Sequence, residues 1–120
     1  MKESVLREKS YAFALRMIKA YNYLKQEQRE FVLSKQILRS GTSIGALVKE
    51  AEHAQSRADF VNKMNVALKE ANETDYWLDL LKDSEYIDIK SYNSIHQDCS
   101  ELIKLLASIV KTSKESNEKK

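Results

Sequence analysis

Residues 56–81, SRADFVNKMNVALKEANETDYWLDLL, decide the fold. Ser56, followed three residues later by Asp59, resembles a capping box with Asp in place of Glu, set just before an apolar run. Phe60, Met64, Ala67, Ala71, Thr74, Leu78 and Leu81 then recur by steps of three and four, which places them on one helix face turned to a core. Trp77 and Leu80 broaden the far end of that face, and the polar stretch Lys82 to Glu85 closes it, so a helix over 56–82 is predicted.

Upstream, the same spacing runs unbroken through Leu33, Ile37, Ser40, Ile44, Leu47, Ala51 and Ala54, predicting a helix over 30–53 after the wholly polar Gln26 to Glu30. A helix over 5–25 is read from Leu6, Ser10, Phe13, Met17, Ala20 and Leu24, with Ser4 and Ser10 as alternative caps. Downstream, Asp88 is placed to cap a helix over 88–112, whose stripe is Tyr92, Ile95, Cys99, Leu102, Leu106 and Ile109. The polar residues 113–120 are expected to form a disordered tail.

Helices of this length joined by short connections force antiparallel neighbours, so residues 1–112 are read as an all-α, up-down-up-down four-helix bundle. Composition agrees. The 120 residues include no Pro and two Gly, so the usual builders of hairpins are missing. Gly41 and Gly45 fall inside the second helix, where each costs about 1 kcal/mol relative to Ala. Their presence points to a close neighbour, either the third helix of the same chain or an adjoining subunit.

Cys99 is the only cysteine, which excludes an intrachain disulfide and a cysteine zinc cluster; it is expected to pack as a small apolar residue. The first ten residues carry five charges, and no window approaches eighteen uninterrupted apolar residues, so no signal peptide, no membrane span and a cytoplasmic location are expected.

Catalytic and metal constellations find little support. A di-iron bundle needs two Glu-x-x-His motifs, and Glu50-Ala51-Glu52-His53 has no counterpart, because Asn93 stands three residues before His96. Cys99 and His96 share a helix without a third group to orient the base. The expectation is no enzyme activity, no metal site and no cofactor.

The polar residues beside the apolar seam are more informative. Gln36, Ser43 and Glu50 recur every seven residues at the edge of the core, and with Arg39, Ser40, Glu70 and Glu73 they are read as a structural polar network between the second and third helices. Charge is also uneven. Residues 70–101 carry nine acidic and two basic side chains, a balance of −7 that leaves +9 on the remainder of a +2 chain. Basic residues recur along the first two helices, and Lys19, Lys35, Arg39 and Lys49 are the candidates for phosphate contact.

These features together resemble the four-helix-bundle proteins encoded in bacterial 23S ribosomal RNA intervening sequences, a family related to the accessory variability proteins of diversity-generating retroelements. The resemblance rests on Lys9-Ser10 and Phe13-Ala14, on Gln36-x-x-Arg39-Ser40-x-x-Ser43-Ile44 with Glu50, and on Ser56-x-x-Asp59-Phe60. It continues through Ala67-Leu68-Lys69-Glu70-Ala71-x-Glu73-Thr74 and Tyr76-Trp77-Leu78. Leu47 stands where the family commonly has Asn.

The resemblance implies a ring-like homopentamer without enzyme activity, with a basic surface that in the retroelement relatives engages nucleic acid and a reverse transcriptase, so RNA or DNA or such an enzyme is the expected partner here. The alternative is a protein-interaction scaffold without a nucleic-acid role, docking a partner around Tyr76, Trp77 and Leu80.

Overall fold

The structure, a computed structural model, describes residues 2–118, with side chains through Glu115. Four helices follow one another: α1 (Lys2–Gln26), α2 (Leu33–Glu52), α3 (Arg57–Asp83) and α4 (Ile89–Glu118). Each packs against its sequence neighbour and α1 closes against α4, giving an antiparallel bundle 52 Å long and 21 Å across.

The buried residues repeat with a seven-residue period. On α3 they are Met64, Ala67, Ala71, Thr74, Leu78 and Leu81; on α4 they continue from Tyr92, Ile95, Cys99, Leu102 and Leu106 to Ile109. Such a repeat makes side chains interdigitate as in a coiled coil and favours shallow crossing angles. Each fully buried Leu, Ile, Phe or Met adds about 1.5–3 kcal/mol, and Leu6, Phe13, Met17, Leu24, Ile37, Ile44, Met64 and Leu78 are all in this class.

α2 is buried more widely than its single stripe predicts. Ser34, Gly41 and Val48 form a second buried column beside Ile37, Ile44 and Ala51, while Leu33 and Leu47 are half-buried. The second column exists because α2 touches α1 on one side and α3 on the other. The two glycines of α2 face α1. A Cβ built on Gly41 would collide with Met17 Cγ and lie 2.6 Å from its Sδ, and one on Gly45 would lie 3.3 Å from the Ser10 carbonyl oxygen. Within the chain, the close neighbour of these glycines is therefore α1 and not α3.

The ends of the helices explain the boundaries. Ser56 Oγ accepts the Asp59 N–H at 3.0 Å, and Asp59 Oδ2 accepts the Gln55 N–H at 3.2 Å, so the reciprocal arm reaches one residue before the cap. Asp88 Oδ1 accepts the Ser91 N–H at 2.7 Å, and that bond holds the Asp88 carboxyl below its ordinary value. α2 begins at Leu33, three residues later than predicted, because Arg29 turns left-handed (φ 54°) and Glu30 folds under the helix. The Glu30 carboxylate accepts the N–H groups of Val32, Leu33 and Ser34 at 3.2, 2.9 and 2.7 Å, filling donors that a helix start leaves orphaned. α4 runs on to Glu118, past its predicted end at 112, and Ser113 is buried. Polarity alone does not end a helix when Gly and Pro are absent. The last two residues of the expected tail, 119 and 120, lie outside the described residues.

Candidate nucleic-acid interface and polar network

Antiparallel packing sets the basic helices α1 and α2 beside the acidic stretch of α3 and α4. On the α1–α4 seam Lys9 Nζ meets Glu101 at 2.9 Å, and Arg16 Nη1 meets Asp98 at 2.7 Å while also reaching the Ser94 carbonyl. The Glu101 hydrogen bond and charge raise the Lys9 pKa above its ordinary value. Arg7 pairs with Glu52 of α2 at 3.3 Å. Much of the positive charge seen along the first two helices is thus matched within the chain.

The four candidates for phosphate contact divide accordingly. Lys19, Lys35 and Lys49 are exposed and hold no ion pair among the described residues. Arg39 instead forks onto α3, with Nη1 on Glu70 Oε1 at 3.2 Å and Nη2 on Glu73 Oε2. Its position serves the bond between helices before any ligand. Lys19 lines the α1–α4 groove with Arg16 and Lys90. Lys35 and Lys49 lie on α2, fourteen residues and so about 21 Å apart along one side.

The seven polar-network residues fall into four sets. Arg39, Glu70 and Glu73 make the ionic cluster just described. Beneath it lies a buried relay in which Thr74 Oγ1 meets Ser40 Oγ at 2.9 Å and the Glu70 carbonyl at 2.8 Å, while Ser40 Oγ donates to the Gln36 carbonyl at 3.0 Å. Ser43 donates to the Arg39 carbonyl of its own helix at 2.6 Å. Glu50 stands apart near the α2–α3 junction, paired with Lys63 at 3.2 Å. Sequence reasoning gave Thr74 only an apolar-stripe position, although a hydroxyl at a fully buried site needs a partner and thereby announces one.

Cys99 Sγ is buried and donates to the Ala71 carbonyl at 3.4 Å, with burial pushing the thiol up to about 12. His96 turns to α3, where Nε2 lies 3.0 Å from Asp75 Oδ1. The thiol and imidazole therefore serve separate contacts. His53, from the lone Glu-x-x-His motif, ends α2 as its C-cap. Tyr76 is exposed and sets its ring edge-on to Trp77 at 5.2 Å, but Trp77 and Leu80 are half-buried. No helix among the described residues is long and apolar enough to cross a membrane.

Comparison with known proteins adds two findings. A family model described as 23S rRNA-intervening sequence protein matches residues 2–108. Among solved structures, the chain is similar to the 1.70 Å crystal structure of a protein with unknown function from the S23 ribosomal protein family of Bacteroides thetaiotaomicron VPI-5482. The two are 61% identical with a TM-score of 0.91, and the match covers 92% of this chain and 99% of that one. No curated protein matches.

Proposed function

Since this chain belongs to the 23S rRNA-intervening sequence protein family, we propose that it acts without catalysis, as a homo-oligomeric, pentameric helical bundle that binds RNA or a nucleic-acid enzyme through basic surface. The observation that carries this reading is the division among the cations of α1 and α2: Arg7, Lys9, Arg16 and Arg39 are matched by carboxylates, whereas the candidates Lys19, Lys35 and Lys49 remain free of ion pairs among the described residues. Multiplied around a ring, these ammonium groups give a field that concentrates phosphate. Arg39 joins them only by leaving Glu70 and Glu73.

Self-association is supported by α1. Tyr11, Leu15 and Ile18 are 67%, 47% and 44% exposed and follow one another at helical spacing, so they form an apolar strip on its outer side. This is a larger apolar surface than Tyr76 alone offers on α3 and equally favours the second reading, a scaffold that docks another protein.

Light scattering with and without a structured RNA, at low and moderate salt, separates the readings. A mass near five chains, with RNA bound at low salt and released steeply as salt rises, is expected. Lys35→Glu should lower the salt slope by about 1 for each phosphate that Lys35 neutralises, and Leu15→Glu should reduce the mass. A monomer indifferent to RNA at low salt overturns both the oligomer and the nucleic-acid role, while an oligomer indifferent to RNA leaves the scaffold.

A further inference from the structure

α3 and α4 face each other through two matched steps of four residues. Asp75 and Asp79 lie one turn apart on α3, and Tyr92 and His96 lie one turn apart on α4. Because the helices run in opposite directions, His96 meets Asp75 and Tyr92 meets Asp79. His96 Nε2 is 3.0 Å from Asp75 Oδ1, and the Tyr92 hydroxyl donates to Asp79 Oδ1 at 2.5 Å. The Tyr92 and His96 rings stack at 5.0 Å with 20° between their planes, which fixes the imidazole face.

Two properties distinguish this group from ordinary helix surface. The carboxylates of Asp75 and Asp79 stand one turn apart, and neither is paired with Lys or Arg among the described residues. The nearby Lys82 ammonium lies over the Tyr92 ring, 4.3 Å from its centroid, instead of on either carboxylate. Asp75 Oδ1 is also closed to solvent and accepts no N–H or O–H hydrogen bond. His96 Nε2 stands 3.0 Å from this otherwise unpartnered oxygen, so a nitrogen and an oxygen able to ligate a cation lie side by side.

One ligand atom each from Asp75, Asp79 and His96 falls within a set whose members are all within 4.8 Å of one another. We propose that these three residues bind a divalent transition-metal ion of the zinc type, clamping α3 to α4. One imidazole nitrogen and two carboxylate oxygens suit zinc, manganese or iron(II), and the half-exposed side chains leave remaining positions to water. Tyr92 completes the arrangement from outside, since its hydroxyl occupies one Asp79 oxygen and orients the other. The two-histidine search along single helices misses this group because its members come from two helices and share no short motif.

The test is titration of chelator-treated, full-length protein with ZnCl2 by calorimetry, with MgCl2 as comparison. One zinc ion per chain is expected, with at least tenfold weaker binding to His96→Gln and to Asp75→Asn, unchanged binding to His53→Gln, and no response to magnesium. Zinc should also shift the His96 ring-nitrogen resonances of the unsubstituted protein, a readout that does not depend on the variants folding. No zinc uptake by the unsubstituted protein, uptake without movement of the His96 resonances, or loss of binding in His53→Gln would overturn the assignment.

Discussion

Met17 of α1 occupies the space that a side chain at Gly41 of α2 would take, its Cγ overlapping the position of a Cβ there and its Sδ standing 2.6 Å away. Gly41→Ala gains about 1 kcal/mol of helix propensity but overfills a buried contact, which costs about 1–3 kcal/mol. A net loss near 1 kcal/mol is expected in urea unfolding. Met17→Ala alone should cost about 2–5 kcal/mol. The two changes made together should cost less than their sum, because the new methyl enters the vacated space. Strict additivity in this cycle would refute the contact.

Ser56 and Glu30 begin helices by different means and should respond differently. Ser56→Ala removes one acceptor at an exposed cap and should cost about 1 kcal/mol. Glu30 satisfies three backbone donors from a buried position, so Glu30→Ala should cost about 2 kcal/mol or more. Amide exchange should accelerate at Val32, Leu33 and Ser34 in the Glu30 variant alone. Equal exchange at those amides in both proteins would show that water replaces the carboxylate without loss.

Cys99 gives the fold an alkaline weakness. Burial raises its thiol from the ordinary 9.0 to about 12, so the folded chain keeps a proton that the unfolded chain gives up. The stabilisation from the neutral thiol is therefore complete below about pH 9 and is lost as pH rises towards about 12, at no more than about 1.4 kcal/mol per pH unit for one group. Tyr92, raised by burial and by its hydrogen bond to Asp79, adds to the loss at higher pH. Urea midpoints should hold level to pH 9 and then fall, and Cys99→Ala should delay the fall. A thiol reagent at pH 8 should modify Cys99 only in unfolding concentrations of urea.

The four stripes were legible in the sequence because each pairs one helical period with one buried face, and Leu6, Phe13, Met64 and Leu78 fall where that period puts them. The partner of a given stripe was not. Gly41 and Gly45 announced a close neighbour, but spacing on one helix carries no information about whether α1 or α3 supplies it. Glu30 was hidden for a related reason: within a polar connection, a buried carboxylate under a helix start looks like any solvated one. The relay through Thr74 and Ser40 and the facing of His96 with Asp75 depend on the axial offset between helices. That offset is set jointly by connection lengths and core shapes, and no single segment records it.

The short connections have a kinetic counterpart. Each of the first three helices docks on the next across only a few residues, so most loops that must close during folding are small and lose little chain entropy. Chains of this kind fold in microseconds to milliseconds. With no proline in the sequence, nothing waits for prolyl isomerisation, which elsewhere adds phases of tens of seconds. The slowest event is then the meeting of α1 with α4, which brings the most distant parts of the chain together.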